Sequence, residues 1–255
     1  MRQPKTILIT GAGSGLGAAL ALSYAKLGVI LFLCGRREAP LERVSELCKA
    51  RGAEVFYQSV DVTDVSAISQ WIEESNSKHT IELLIANAGI SGGTGGIEGN
   101  ETDMQVRSIF NTNIDGVINS IWPIIPHMQK QRRGQLAIVS SLASFRGMPS
   151  APGYCASKAA IRSYGEGLRG QLKPDGIGVT VICPGYIRTP MTDVNDFPMP
   201  MLMNADKAAS IIKKKLNHNP PRIAFPFPLY FLIWFLGCLS PRLTDPLFNR
   251  LPKKP

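Results

Sequence analysis

The sequence predicts a doubly wound α/β fold: a parallel sheet between two layers of helices, in a single domain that carries an apolar C-terminal extension. Three observations predict it. Short, β-branched apolar runs alternate with longer segments of helical period, the pattern of a parallel sheet covered on both faces. The 255 residues are 44% hydrophobic and 18% charged, enough for a sizeable core and unlike a disordered chain. No interdomain linker interrupts the alternation before about residue 186.

Taken in order, strands are expected at Thr6–Thr10, Val29–Cys34, Glu54–Ser59, Leu83–Ala86, Gln135–Ser140 and Gly178–Cys183. Helices are expected at Leu16–Leu27, Leu41–Arg51 and Val65–Asn76, as one long stretch from Thr102 to Gln131, and at Tyr154–Leu172. Residues 188–203 hold three prolines and four methionines without a clear period, and read as a loop or short helices near a site. A helix at Ala205–Leu216 and an edge strand at 222–225 follow. The expected division is a catalytic unit, 1–221, with a substrate loop at 186–203, and an apolar, basic extension, 222–255.

The totals narrow the function. Five scattered cysteines show no metal or disulfide spacing and fit buried thiols in a reducing compartment. His79, His127 and His218 form no metal motif. "MRQPK" runs straight into "TILIT", with no room for a signal-peptide core. The net charge of +9 is uneven: residues 204–255 carry nine Lys and Arg against two Asp, which leaves +2 for the first 203. A basic nucleic-acid face on the main body is therefore disfavoured.

Directly after the first expected strand comes "TGAGSGLG", Thr10–Gly17. Gly11, Gly15 and Gly17 permit a tight turn and close approach of backbone to phosphate, and the helix beginning near Leu16 offers unsatisfied N–H groups to a pyrophosphate. Alone, such a run also reads as a flexible turn. After the second strand an NAD site usually places an acid for the ribose 2′-OH. Here Gly35 stands there, followed by Arg36 and Arg37, which favours the 2′-phosphate of NADP over NAD. Two solvated arginines at a helix start are the plainer alternative, and Ser14 adds no second positive charge.

Four later features converge: "ANAG" (Ala86–Gly89), Asn113 in "NTNIDG", Ser141 at the end of "VSS", and Tyr154 with Lys158 in "YCASK". With the glycine loop, in this order and spacing, the chain from Thr6 to about Thr189 resembles the short-chain dehydrogenase/reductase family, whose fold is Rossmann-like. Tyr154 and Lys158, four apart, share one helix face. A nearby ammonium and a positively charged nicotinamide both favour the phenolate of a tyrosine whose free pKa is ~10. Tyr154 is then the expected acid/base, with Ser141 bonding the same substrate oxygen and Lys158 also holding the nicotinamide ribose. The resemblance implies that Asn113 positions a water linking Lys158 to solvent. It also implies that Thr10 tethers the loop and that Gly11, Ser14, Gly15, Leu16 and Gly17 cradle phosphate. By the same resemblance Asp61 and Val62 meet the adenine, and Asn87, Ala88 and Gly89 line the cofactor. Pro184, Gly185 and Ile187 pack by the nicotinamide, and Thr189 bonds its carboxamide or a phosphate. For Asp61 a helix N-cap region is the bland alternative. Ala156, Ser157 and Ala159 fit close packing around a cofactor; Arg146, Met148, Met191 and Met199 are candidates for the substrate pocket.

The expected activity is hydride transfer between NADP(H) and a small-molecule carbonyl or secondary alcohol; a dinucleotide-sensing or membrane-associated scaffold without turnover is the alternative. "FPFPLYFLIWFLGCL", Phe225–Leu239, is shorter than the ~20 residues that span a bilayer. It reads as a pocket lid, a subunit contact or a membrane-surface helix. A lid would suggest an apolar, lipid-like substrate. Family members commonly pair long helices between subunits, which implies a homodimer or homotetramer. The compartment reads as cytoplasmic, at the inner face of a membrane if residues 225–255 touch one.

Overall fold

A computed structural model describes residues 3–91, 101–195 and 197–248. Its strands are β1 (Thr6–Thr10), β2 (Ile30–Gly35), β3 (Glu54–Ser59), β4 (Leu83–Ala86), β5 (Gly134–Val139), β6 (Ile177–Pro184), β7 (Ile187–Arg188), β8 (Met203–Asn204) and β9 (Arg222–Phe225). Its helices are α1 (Gly15–Tyr24), α2 (Glu38–Lys49), α3 (Val65–Lys78), α4 (Asp103–Phe110), α5 (Gly116–Ile121), α6 (Ile125–Gln131), α7 (Pro152–Leu172), α8 (Ala205–Leu216), α9 (Phe227–Cys238) and α10 (Pro241–Phe248).

Seven strands form one parallel sheet in the order β3-β2-β1-β4-β5-β6-β9. β1, β4, β5 and β6 are buried at every position, because helices cover both faces and leave no side exposed to water. One core joins the sheet to α1, α2 and α8, around Ile9, Leu20, Leu41 and Ile212. The other joins it to α3, α5, α6 and α7, around Leu8, Ile72, Ile121 and Ile161. Each such buried aliphatic side chain contributes about 1.5–3 kcal/mol of transfer free energy. The chain leaves β1 for β2 on one side and reaches β4 on the other, so a crevice opens beyond the C-terminal ends of β1 and β4, where open α/β sheets bind ligands.

Residues 102–131 are not one long helix. α4 passes through a π-helical turn at Asn111–Asp115 into α5, and the backbone breaks again around Pro123 before α6. Proline removes a helical N–H and clashes with the preceding turn. The edge strand at 222–225 is present as β9. Four cysteines are buried thiols, but Cys238 is exposed. Among the described residues no group of side chains could hold a metal ion, and no helix is long and apolar enough to cross a membrane.

Candidate active site

The glycine loop occupies the crevice because side chains are excluded from it. A Cβ on Gly17 would stand 2.2 Å from the Gly11 carbonyl oxygen and 2.6 Å from Asn87 Nδ2. Gly11 and Gly15 adopt φ of +65° and +55°, a left-handed conformation that favours glycine. The Ala12 N–H donates to the Cys34 carbonyl at 3.0 Å and ties the loop to β2. Ser14, at the N-cap of α1, makes no side-chain cap bond, which leaves first-turn N–H groups for an anion.

The loop is locked to β4 by reciprocal bonds. Thr10 Oγ1 accepts from the Asn87 and Ala88 N–H groups at 3.1 and 3.0 Å, and Asn87 Nδ2 donates to the Thr10 and Gly11 carbonyls. A cavity of about 280 Å³ runs from this loop to the end of β5. Its walls include Gly11, Ser14, Gly15, Leu16, Arg36 and Arg37 at one end. Asp61, Val62, Asn87, Ala88 and Gly89 follow, then Ser141, Tyr154, Lys158, Pro184, Gly185, Ile187 and Thr189. Thr10, Gly17 and Asn113 lie behind the wall. Arg36 and Arg37 are exposed. Asp61 Oδ1 accepts from the Thr63 N–H and hydroxyl, both at 2.9 Å, whereas the N-cap of α3 is Asp64.

At the other end, Ser140 and Ser141 close β5. Ser140 Oγ donates to the Lys158 carbonyl at 2.8 Å and fixes α7 against the strand. Lys158 Nζ, buried, donates to the Val139 carbonyl at 3.0 Å and lies 5.9 Å from the centre of the Tyr154 ring. Burial lowers the Lys158 ammonium to about 8. Burial also pushes the Tyr154 phenol up to about 12, and a hydrogen bond with Ser141 offsets only part of that. In the protein without its nicotinamide, desolvation therefore outweighs the Ser141 hydrogen bond and the phenol stays protonated.

Asn113 sits in the π turn with its side chain fully engaged. Its Oδ1 accepts from the Ile90 N–H at 2.8 Å, and its Nδ2 donates to the Ile90 carbonyl and to Ser157 Oγ at 2.9 and 3.0 Å. It joins the β4 loop to α7. A Cβ on Gly89 would press on Asn113 Oδ1 at 3.1 Å and Lys158 Nζ at 3.3 Å.

Several expectations change. Arg146 does not line the crevice: it bonds Thr244 Oγ1 and Asp245 Oδ1, the latter at 2.6 Å, and stacks over Phe248, pinning α10. Met148, Ala156 and Ala159 line a separate cavity beneath α10, on another side of α7, while Ser157 faces Asn113. Met191 reaches the crevice, and Met199 Sδ meets Asn195 Nδ2 at 3.4 Å. Glu101 was missed. Its carboxylate accepts from the Gly153 N–H at 2.5 Å and the Tyr154 N–H at 3.3 Å, capping α7 at the start of the catalytic-type motif. No local pattern signals a cap supplied from 52 residues away. Ser140 and the Val139 carbonyl were also missed, although "VSS" held the first.

Residues 5–197 match the family model described as short chain dehydrogenase. The chain belongs to the short-chain dehydrogenase family. It is 37% identical over 251 residues to an uncharacterized oxidoreductase of Myxococcus xanthus, covering 97% of each chain. It is 34% identical to the 3-ketodihydrosphingosine reductase of Bacteroides thetaiotaomicron, over 83% of this chain and 74% of that one. Among solved structures, actinorhodin polyketide ketoreductase with NADPH superposes with a TM-score of 0.79 at 22% identity, over 90% of this chain and 98% of that one, a likeness of fold. This short-chain dehydrogenase is thus an oxidoreductase of the NAD(P)-dependent kind.

Proposed function

We propose that this short-chain dehydrogenase uses NADP(H) to interconvert an apolar, lipid-like ketone or aldehyde and its alcohol. The observation that carries the reading is the gathering of Ser141, Tyr154 and Lys158 in one crevice with the glycine loop, Arg36 and Arg37. The side-chain-free cradle at Gly11, Gly15 and Gly17 fits a pyrophosphate. The exposed guanidiniums of Arg36 and Arg37 fit a 2′-phosphate. Asp61 and Val62 suit the adenine, Asn87, Ala88 and Gly89 the cofactor's middle, and Pro184, Gly185, Ile187 and Thr189 the nicotinamide.

The bound nicotinamide supplies or takes the hydride. In reduction Tyr154 Oη gives its proton to the carbonyl oxygen, which Ser141 Oγ also bonds; in oxidation Tyr154 receives it. Lys158, spending one donor on the Val139 carbonyl, keeps others for the ribose hydroxyls. Asn113 acts by holding the Ile90 loop and α7 in register, and Thr10 by holding the phosphate loop to β4.

An apolar substrate is favoured by the wall beside Gly185. A Cβ there would meet Pro226 and Leu229 at 3.1 and 3.3 Å, so the inner face of α9 closes the nicotinamide end. The similarity to a 3-ketodihydrosphingosine reductase supports a long-chain substrate. In this reading residues 1–221, with loop 186–203, carry the chemistry, β9 completes the sheet beside β6, and the outer faces of α9 and α10 meet the surroundings. Met104 and Trp122, 78% and 51% exposed near α4 and α5, favour a homodimer or homotetramer. The compartment we read is the cytoplasm, at the inner face of a membrane.

The test is titration with NADPH and NADH, followed by fluorescence. NADPH should bind about tenfold to a hundredfold tighter, and Arg36→Ala with Arg37→Ala should erase the difference, as expected for charge-assisted bonds of about 1.5–3 kcal/mol. Equal or tighter NADH binding overturns the assignment of the arginines.

A further inference from the structure

α9 has two unlike sides. Toward the protein, Tyr230 packs edge-on against Phe145 at 5.4 Å, Ile233 is buried, and a Cβ on Gly237 would stand 2.3 Å from the Phe145 carbonyl oxygen. That close approach fixes which way the helix faces. Away from the protein stand Phe227, Phe231, Leu232, Trp234 and Phe235, between 41% and 70% exposed. Four of them form one aromatic row. Phe231 lies 6.3 Å from Phe227, 6.0 Å from Trp234 and 6.4 Å from Phe235. From Phe227 to Cys238 there is no Asp, Glu, Lys or Arg. α10 then exposes Leu243 and Leu247, one turn apart, beside an exposed Arg242.

Scattered apolar residues are ordinary on a surface; a contiguous uncharged aromatic row is not. Its charge setting selects the occupant. Residues 204–255 carry +7, with Arg250, Lys253 and Lys254 following α10 in the sequence and no acid among the last seven residues. A two-fold contact with a second copy would bring these like-charged regions together. A helix of this length also offers a strip only about 18 Å long and 10 Å wide, small beside the ~800 Å² that each partner buries in a stable dimer. An anionic bilayer matches both properties: aromatic and aliphatic side chains seat at the acyl boundary while cations meet the headgroups.

We propose that α9 lies flat on an anionic phospholipid surface, with the Phe227–Phe235 row among the acyl chains and Arg242 at the headgroups. This deepens the membrane-side reading and rests on it; it does not depend on the catalytic assignments. The inner face of the same helix reaches Gly185 in the crevice wall, so the membrane contact and the substrate end share one element.

The test uses the full chain with vesicles of phosphatidylcholine alone and of phosphatidylcholine with phosphatidylserine. Flotation should show about tenfold or greater preference for the anionic vesicles, lost at high salt. The double change Phe231→Glu and Trp234→Glu should lower vesicle binding at least about tenfold and leave NADPH binding unchanged. In a Trp122→Phe background, acyl-brominated lipid should quench the remaining exposed tryptophan, Trp234. The proposal is overturned if the wild type ignores both vesicle types, if the double variant binds as well as wild type, or if no quenching occurs. Self-association abolished by the double variant, without lipid binding, would make a second copy the occupant and overturn it too. Vesicle binding without NADPH binding would instead sink the catalytic reading and leave the surface intact.

Discussion

α1 and α9 are both uncharged, mainly apolar helices, and each carries a glycine pressed against a backbone carbonyl: Gly17 against Gly11 and Gly237 against Phe145. α1 buries six residues, covered by the sheet and by α8, whose Lys213 Nζ lies over the Tyr24 ring at 5.1 Å. α9 buries only Ile233. Hydrophobicity states how much surface must be taken from water, and the neighbours available decide what takes it. A helix placed early in the chain, α1, packs against β1 and is covered by two later helices, α2 and α8. A helix placed near the end, α9, comes after both sheet faces have been covered.

The comparison also separates the two ends of the site. At α1 the crevice is built from backbone and missing side chains; at α7 it is built from buried ionisable groups. The largest effect should come from the second. Tyr154→Phe removes the proposed proton donor, and turnover should fall about 10²–10⁴-fold with NADPH affinity little changed; steady-state kinetics beside a fluorescence titration check both. A variant that still turns over at the wild-type rate would remove Tyr154 from the proton-transfer role.

Next in size is a matched pair of truncations. Leu20→Ala, in α1 and fully buried, should cost about 2–5 kcal/mol. Leu232→Ala, 52% exposed on α9, should stay within about 0.5 kcal/mol. Urea unfolding of the two variants measures the contrast directly, and equal losses would mean that α9 is covered in solution.

A smaller effect concerns pH. Burial lowers Lys158 to about 8 from an unfolded value of 10.5, so its positive charge is present below that pH and is lost as pH rises through it. NADPH affinity should therefore fall about threefold to tenfold across that rise, and Lys158→Met should flatten the dependence. Tyr154, pushed up to about 12, keeps its proton through this range and should not contribute. Titrations at several pH values decide it.

Much of this was legible along the chain. β1 and β4 fall at their expected residues, because a strand buried between two helical layers writes itself as a local apolar run, and the edge strand β3, with no fully buried position, also falls where its β-prone residues predict it. The glycine loop, Ser141, Tyr154 and Lys158 were legible for a related reason: their spacing is set by one turn and one helix. Three matters were not. The break of residues 102–131 depends on how the π turn brings Asn113 to Ile90. Arg146 turns to α10, 98 residues away, for Thr244. Glu101 caps α7 across a fold that no local window spans.

The sequence by itself therefore determined the alternation of strands and helices, the glycine turn after β1 and the Ser141, Tyr154 and Lys158 set that the proposed reading uses, since each rests on near neighbours in the chain. Only the tertiary structure decided which apolar helix is covered, where Glu101 and Arg146 find partners, and how far Tyr154 and Lys158 shift. Burial and long-range hydrogen bonds depend on everything packed around a group, and that packing exists only once the chain has closed on itself.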